Sequence, residues 1–137
     1  MADGTYWLEL VAPEIAAQAI PGQFVMVGFG PAGYAVPFLP RPNSVAAVRD
    51  DRVGLLIRIF GEGSRRLAAL KPGELVLLLG PLGTWYELGE ARQVVCVAGG
   101  VGLAPFIFLP RWLEGTAPGL KLRLLYGEQR AAAVFDP

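Results

Sequence analysis

Two short segments of the chain combine charged or hydroxyl side chains with glycine or proline in a pattern suited to binding an anion. In Arg41-Pro42-Asn43-Ser44, a proline of fixed φ stands beside an arginine whose planar guanidinium matches phosphate, and the serine hydroxyl can hydrogen-bond a ring atom of a ligand. In Gly61-Glu62-Gly63-Ser64, the glycines allow close approach of a ligand, and Ser64 is predicted as the N-cap of a helix whose free N–H groups attract an anion. Taken alone, the first segment also fits a surface turn, and the second a capped helix without a ligand.

A glycine-rich turn later in the chain has the setting of a dinucleotide phosphate loop. Gly99-Gly100-Val101-Gly102-Leu103-Ala104-Pro105 follows an apolar strand and precedes a helix predicted from about Leu103 to Leu113, with a kink or an end at Pro110. Pro105 stands where the pattern Gly-x-Gly-x-x-Gly has its third glycine. The strand–turn–helix context therefore matches a dinucleotide-binding loop better than the glycine pattern itself does. A further segment, Gly80-Pro81-Leu82-Gly83, is predicted as a turn and indicates little about function.

The composition excludes several kinds of catalytic and metal site. The 137-residue chain has no histidine and one cysteine, Cys96. A Ser-His-Asp triad, a Cys-His dyad, a histidine-ligated metal, an internal disulfide and a cluster held by cysteines of this chain alone are therefore excluded. A formal net charge of zero argues against nucleic-acid or polybasic membrane partners. We expect a cytoplasmic protein, because we find neither a signal peptide nor a continuous apolar stretch of about 18 residues.

The first part of the chain, residues 1–90, is predicted to form a small antiparallel barrel of short strands. One short helix from Ser64 to Leu70 interrupts the strands, with a broad loop from Gly30 to Pro40 and a charged hairpin tip at Arg49–Arg52. The predicted strands are Tyr6–Val11, Gln23–Phe29, Ser44–Val48, Val53–Phe60 and Leu75–Leu79, the last one buried.

The pattern changes in residues 91–137, which are predicted to form one β-α-β unit. Val94–Ala98 is a continuous apolar run, which is typical of a strand covered on both faces, and Leu120–Tyr126 is predicted to be a second buried strand. The connection between the two strands is expected to be right-handed and the strands parallel. Two strands and one helix cannot cover both faces, so we expect another chain to cover the sheet, or a truncated product. Trp85 and Tyr86 are expected to pack between the two regions rather than to stack on a ligand.

Taken in this order and at this spacing, the four segments resemble the ferredoxin-reductase superfamily of flavoproteins. Within it, the similarity is greatest to the electron-transfer subunits of type B dihydroorotate dehydrogenases, and it extends from about Tyr6 to Phe135. The resemblance implies a six-stranded, Greek-key-like FAD-binding barrel in residues 1–90. It also implies a partial NAD-binding α/β domain in residues 91–137.

The resemblance also implies roles for named residues. Arg41 would pair with the FAD pyrophosphate, Ser44 would hydrogen-bond the flavin ring, and Arg58 would add positive charge or a ring contact. The Gly63-Ser64 helix start would hold the phosphates, and the glycine-rich turn would contact NAD. The implied cofactor-binding residues are Arg41, Pro42, Asn43, Ser44, Leu56, Ile57, Arg58, Gly61, Gly63 and Ser64 for FAD, and Gly100 and Gly102 for NAD; no catalytic or metal-binding residue is implied.

The implied function is electron transfer between a dihydroorotate dehydrogenase catalytic subunit and NAD in pyrimidine biosynthesis. Relatives in this superfamily continue with further strands and a cysteine cluster for a [2Fe–2S] centre, whereas this chain ends at Pro137 with Cys96 alone. We therefore expect no [2Fe–2S] cluster here and an incomplete site for NAD(H). Alternatives are a reductase-like FAD-binding or assembly module without NAD activity, and a reductase subunit of a hydrogenase or glutamate-synthase-like complex. A homodimer is also left open.

Overall fold

The computed structural model of the chain describes residues 4–30 and 39–135, so most of the predicted loop Gly30–Pro40 lies outside the described residues. The N-terminal unit is an antiparallel sheet with strand order β1-β4-β3-β2-β5. Its elements are β1 (Thr5–Val11), α1 (Pro13–Ala16), β2 (Phe24–Gly28), β3 (Arg41–Arg49), β4 (Arg52–Arg58), α2 (Glu62–Ala68) and β5 (Leu77–Leu82). The predicted antiparallel β unit is confirmed, with five strands among the described residues.

The interior strand β4 takes part in two hydrophobic cores. It lies between β1 and β3, and every residue from Val53 to Ile57 is buried. Val53, Leu55 and Ile57 belong to the core of the N-terminal unit, whereas Leu56 packs against the C-terminal unit. Because successive side chains of a strand point to opposite faces, one apolar run serves both cores. The strand ends at Arg58, where the two units meet.

The prediction of a buried strand over Leu75–Leu79 is wrong. The strand β5 begins later, and Leu75 and Leu79 are 93% and 64% exposed. The reason is that the side chains of Leu77 and Leu79 point to a face of the sheet that the described residues leave uncovered, whereas Leu78 between them packs against the core. The predicted turn at Gly80-Pro81-Leu82-Gly83 is also wrong for its first three residues, which continue β5. Gly80 suits this place because an added Cβ would lie 2.8 Å from Val25 Cγ1 on β2.

The C-terminal unit consists of two parallel strands, β6 (Gln93–Gly99) and β7 (Lys121–Gly127), joined by helical segments. A 3-10 turn leads into α3 (Ala104–Ile107), and α4 (Leu109–Thr116) follows after one residue. The predicted β-α-β unit is confirmed, but its single predicted helix is two short ones. The break comes before Pro110, since a proline ring clashes with a preceding helical turn and is tolerated in the first turn of a new helix.

The two units pack against each other through small apolar side chains and a group of aromatic rings. Ala46 and Leu56 of the sheet meet the start of α3 in one cluster. Trp85 and Tyr86 follow β5 and join a second cluster with Cys96, Leu109 and Leu113 of the C-terminal unit. Tyr86 also lies against Gly22 of the N-terminal unit, so it packs between the units as predicted. The Trp85 ring lies 6.0 Å from Trp112, and the Tyr86 ring 6.1 Å from Phe106, measured between centroids.

The outer face of the β6–β7 pair is uncovered within the described residues. Val95, Val97 and Leu125 are 50%, 72% and 52% exposed. The prediction of Leu120–Tyr126 as a buried strand is therefore wrong for the outer face of β7, because no layer among the described residues covers it. This agrees with the expectation that the β-α-β unit cannot cover both faces of its own sheet. What covers the outer face stays a prediction. Among the described residues, no helix is long and apolar enough to cross a membrane.

Candidate functional site

Ten of the twelve predicted site residues line one cavity of about 480 Å³ where the two units meet. The other two, Gly100 and Gly102, are the neighbours of Val101, which lines the same cavity together with Ala104. The ten are Arg41, Pro42, Asn43, Ser44, Leu56, Ile57, Arg58, Gly61, Gly63 and Ser64. The structure therefore brings the three barrel segments to one place, with the glycine-rich turn at its border. Their role as cofactor ligands remains a prediction.

The cavity begins where β3 separates from β4. The pairing of β3 with β4 ends at Val45, which lies opposite Leu55, and the register shifts between Val45 and Ala47. Before Val45, β3 pairs with β2 instead, while β4 continues to Arg58 paired with β1 alone. The cavity-side edge of residues 56–58 thus has no strand partner among the residues that the structure describes. Exposed backbone N–H and C=O groups of this kind are suited to hydrogen-bonding a polar ligand ring.

The Arg41 side chain lies directly against Gly63. A Cβ added to Gly63 would overlap the Nε and Cζ atoms of the Arg41 guanidinium. The arginine also donates through Nη1 to the Leu39 carbonyl, and its own carbonyl accepts a 3.0 Å hydrogen bond from Asn43 Nδ2. Glycine at position 63 therefore allows the contact between the first and second predicted segments, and it sets a cation beside the start of α2.

Ser64 has a different place from the predicted one. The helix α2 has Gly61 as its N-cap, and Ser64 is its third residue. The Ser64 Oγ accepts hydrogen bonds from the backbone N–H groups of Phe60 and Gly61, at 2.8 and 3.1 Å, and donates to the Gly61 carbonyl at 3.0 Å. The prediction of Ser64 as N-cap is wrong because glycine takes that place and the serine reaches back from inside the first turn. Its hydroxyl orders the turn in this structure.

The position of Ser64 is also held from β1. The Tyr6 hydroxyl donates to the Ser64 carbonyl at 3.0 Å, and burial raises the pKa of Tyr6 to about 12. A phenol with this pKa remains a neutral donor at physiological pH. Tyr6 therefore ties the second predicted segment to the sheet, a link between residues 58 positions apart that local pattern does not indicate.

Ser44 and Phe60 offer groups that the other described residues do not use. The half-buried Ser44 hydroxyl has no hydrogen-bond partner within the described residues, while the side chain lines the cavity. Phe60 also lines the cavity and is 79% exposed. Phe60 was not among the predicted site residues, and its only signal in the sequence is its place next to Gly61. A free hydroxyl and an exposed ring are respectively suited to hydrogen-bonding and stacking on a ligand ring.

Arg58 is paired with an acidic residue of the other unit. Its Nη2 atom lies 3.0 Å from both carboxylate oxygens of Glu128, which follows β7. The Glu128 side chain is 3% exposed and the Arg58 side chain 25% exposed. Tyr126 donates its hydroxyl to Glu128 Oε1 at 3.0 Å. The sequence did not predict this pair. The one feature that could have indicated it is the position of Glu128, an acidic residue directly after the second parallel strand.

The pair changes the acidity of its members. The hydrogen bond from Arg58 is the main cause that lowers the pKa of Glu128, which therefore stays ionised. Burial is the main cause that raises the pKa of Tyr126, which stays a neutral donor. Burial also raises the pKa of Cys96 on β6, and a buried thiol that resists ionisation is a poor nucleophile. The site at the junction is therefore charged, whereas Cys96 is chemically inert at neutral pH.

A larger cavity of about 720 Å³ lies at the opposite end of the β6–β7 pair, between the linker and α4. It contains none of the predicted site residues, and Arg92 is the one charged residue among those that line it. Trp85 and Trp112 form part of its wall. The smaller cavity has the convergent polar groups that define a binding site better than volume does, so we take it as the candidate site.

The fold is the one found in ferredoxin reductase-like flavoproteins. The structure of an NADH-dependent reduced ferredoxin-NADP oxidoreductase that carries out flavin-based electron bifurcation overlays with a TM-score of 0.84 at 22% identity, covering 99% of this chain and 48% of that one. The flavohaem-like FAD/NAD-binding domain of nitric oxide dioxygenase from Vibrio cholerae O1 biovar El Tor overlays with a TM-score of 0.79 at 21% identity, covering 96% and 60%. No protein-family model matches the chain.

Curated relatives place the chain more narrowly. It is 41% identical over 112 residues to the dihydroorotate dehydrogenase B (NAD(+)) electron transfer subunit of Desulforamulus reducens, which is 80% of this chain and 42% of that protein. It is 35% identical to the subunit of the same name from Geobacillus kaustophilus, over 98% of this chain and 53% of that protein. The chain spans about half the length of the curated relatives it matches. The resemblance to these electron transfer subunits is confirmed over that half.

Proposed function

We propose that the chain binds FAD in the 480 Å³ cavity and is the flavin-carrying part of a dihydroorotate dehydrogenase B electron transfer subunit. In that role it would pass electrons between a dihydroorotate dehydrogenase catalytic subunit and NAD. The observation that carries the proposal is the convergence of all ten predicted FAD residues on one cavity, with Arg41 held against Gly63. The names of the relatives, which share this half of their length, support the choice of reaction.

The groups around the cavity fit a dinucleotide flavin. Arg41 supplies a guanidinium for the pyrophosphate, and Gly63 leaves room for it beside the backbone. Ser44 offers an unused hydroxyl, and the unpaired edge of residues 56–58 offers backbone groups to the flavin ring. Phe60 offers an exposed ring for stacking. Bound FAD would supply the electron-transfer chemistry, while these residues bind and orient it.

The proposal for NAD(H) rests on the glycine-rich turn. Gly100 has φ of +57°, which glycine adopts without strain, and the turn follows the carboxyl end of β6. Nucleotides bind at this edge of parallel sheets, because backbone N–H groups and helix starts collect there. Gly100 and Gly102 would contact NAD there, in a site to which this chain contributes two strands. This chain would hold no [2Fe–2S] cluster, because Cys96 is its one cysteine.

A second candidate is a reductase-like FAD-binding or assembly module without NAD activity. The observation in its favour is the uncovered apolar face at Val95, Val97 and Leu125, which suits contact with another chain. The two functions differ in one measurement. Reduction of bound flavin by NADH, followed as bleaching of the flavin absorbance, supports electron transfer, whereas bound flavin that NADH leaves oxidised supports the module.

The direct test is an FAD titration of the purified protein, followed by its visible absorption and by quenching of flavin fluorescence. Arg41→Ala should weaken FAD binding by about 2–4 kcal/mol, because it removes the charged partner of a desolvated phosphate. Arg49→Ala is the matched control, since Arg49 is exposed at the end of β3 and away from the cavity. A wild-type protein that ignores added FAD, or an Arg41→Ala variant with unchanged affinity, would contradict the proposal.

A further inference from the structure

We propose that Glu128 is a positioning residue for the flavin cavity: it holds the Arg58 guanidinium at the cavity edge, so FAD affinity depends on an acidic residue of the other unit. The inference rests on the proposed FAD site. Glu128 does not line the cavity, whereas Arg58 does. The pair joins β4 of the sheet to the end of β7, across 70 positions of sequence.

The geometry of the pair distinguishes it from an ordinary surface ion pair. One guanidinium nitrogen, Nη2, lies 3.0 Å from both Glu128 oxygens, and the carboxylate is 3% exposed. Tyr126 adds a third hydrogen bond, and its hydroxyl lies 3.4 Å from the Phe135 backbone nitrogen, which donates to it. A buried carboxylate held by two different donors has one arrangement, whereas exposed pairs sample many. Glu128 can therefore fix the direction of the arginine.

The rest of the Arg58 side chain is constrained from a second direction. A Cβ on Gly100 would lie 2.7 Å from Arg58 Nη1, so the guanidinium rests on this glycine. The Nε and Nη1 donors of Arg58 have no hydrogen bond within the described residues. Arg58 thus uses one nitrogen for Glu128 and keeps the others free beside the cavity. Free donors on a fixed guanidinium are what an anionic or carbonyl-bearing ligand needs.

A competing role for Glu128 is direct contact with a nucleotide. An acid beyond the second strand of a dinucleotide-binding unit often accepts a ribose hydroxyl. Here Arg58 contacts both oxygens and Tyr126 one of them, and the carboxylate is almost fully buried. The observed contacts therefore favour a role through Arg58.

The sign of the effect of Glu128→Gln on FAD binding separates positioning from charge. If Glu128 acted only as a negative charge near the cavity, removing it would tighten the binding of anionic FAD. If it positions Arg58, removing it weakens binding, because the arginine is released to other orientations. We expect Glu128→Gln to raise the FAD dissociation constant by about 10-fold. Tyr126→Phe, which keeps the ring and removes one hydrogen bond, should raise it by about 3-fold.

The experiment uses the full chain with Glu128→Gln, Arg58→Gln and the double variant, and measures FAD affinity by fluorescence quenching. Because Glu128 is proposed to act through Arg58, Glu128→Gln should have no further effect in the Arg58→Gln background. Glu114→Gln, an exposed change on α4, is the matched control and should bind FAD as the wild type does. Tighter or unchanged binding by Glu128→Gln, or additive effects in the double variant, would overturn the positioning role.

A second readout does not use FAD. Nuclear magnetic resonance of ¹⁵N-labelled arginine side chains should show restricted rotation of the Arg58 guanidinium in the ligand-free protein. The Arg58 signal is assigned as the one that is missing from the spectrum of Arg58→Gln. Glu128→Gln should abolish this restriction of the guanidinium rotation, and Tyr126→Phe should retain part of it. An unrestricted Arg58 signal in the wild type would overturn the inference. A wild type that binds no FAD but shows the restricted signal would contradict the proposed function. A wild type that binds FAD, together with a Glu128→Gln variant of unchanged FAD affinity, would contradict the positioning role alone.

Discussion

The strands β4 and β6 have similar apolar sequences but very different surroundings. In β4, Leu55 is fully buried in the N-terminal core, and Leu56 is covered by the C-terminal unit. In β6, Cys96 is buried under the helices while Val97 is 72% exposed on the other face. An apolar run thus indicates that a strand is able to be covered on both faces. The number of layers packed against the sheet decides whether both faces are in fact covered. The N-terminal unit covers its own core, and the C-terminal unit covers one face of its sheet.

The same two units each place a glycine against an arginine at the cavity. Gly63 lies under Arg41, and Gly100 lies beside Arg58. The two contacts differ in backbone conformation, since Gly100 has φ of +57° whereas Gly63 is inside a helix. Close approach is therefore the reason for glycine at position 63, while position 100 combines close approach with a left-handed backbone.

The largest expected effect tests the difference between the two strands. Leu55→Ala should lower the free energy of unfolding by about 3 kcal/mol, because it leaves a cavity in a packed core. Val97→Ala, the matched change on the open face, should alter it by less than about 0.5 kcal/mol. Urea unfolding followed by circular dichroism measures both. Equal losses in the two variants would mean that the face at Val97 is covered in solution, for example by a second copy of the chain.

Gly63→Ala should separate ligand binding from stability. The added Cβ displaces the Arg41 guanidinium, so FAD affinity should fall by about 2 kcal/mol. The helix itself should tolerate the change, since alanine is favoured over glycine in helices by up to about 1 kcal/mol. Isothermal calorimetry and thermal unfolding measure the two quantities. Normal FAD affinity in Gly63→Ala would show that the contact with Arg41 is unimportant for the ligand.

Gly100→Ala should cost about 1–2 kcal/mol of unfolding free energy, because a left-handed backbone is strained for any residue with a Cβ. Gly102→Ala is the control, since a Cβ there would have no neighbour within 4 Å and its φ is not positive. Chemical denaturation of the two variants measures the difference. A loss in Gly102→Ala as large as that in Gly100→Ala would place the constraint elsewhere in the turn.

The acid range tests the pair that joins the two units. The pKa of Glu128 is lowered below its ordinary value of 4.5, chiefly by the Arg58 hydrogen bond. The stability that this ionised group contributes is therefore fully present above that ordinary value and is lost as the pH falls through the lower folded-state pKa. The difference in unfolding free energy between wild type and Glu128→Gln should be constant near neutral pH and shrink in acid. A difference that grows in acid would contradict this.

Much of the molecule was predictable because it depends on local pattern. The apolar residues predicted β4, β6 and β7, and ten of the predicted site residues line one cavity. One error concerns the covering of a strand and another the start of a helix. Leu75–Leu79 looks like a buried strand, but the described residues leave the outer face of β5 uncovered. Ser64 looks like an N-cap, but Gly61 fits the extended cap position, and the serine reaches back to it.

The sequence by itself determined the order of the main strands, the absence of histidine chemistry and the segments that line the cavity. Tertiary structure alone decided three features. It separates β3 from β4 to open the cavity, lays Arg41 on Gly63, and pairs Arg58 with Glu128. The physical reason is distance along the chain. Periodicity and turn residues report contacts between near neighbours. Arg41 and Gly63 meet only once the sheet and α2 have packed, and Arg58 and Glu128 meet only once the two units have packed.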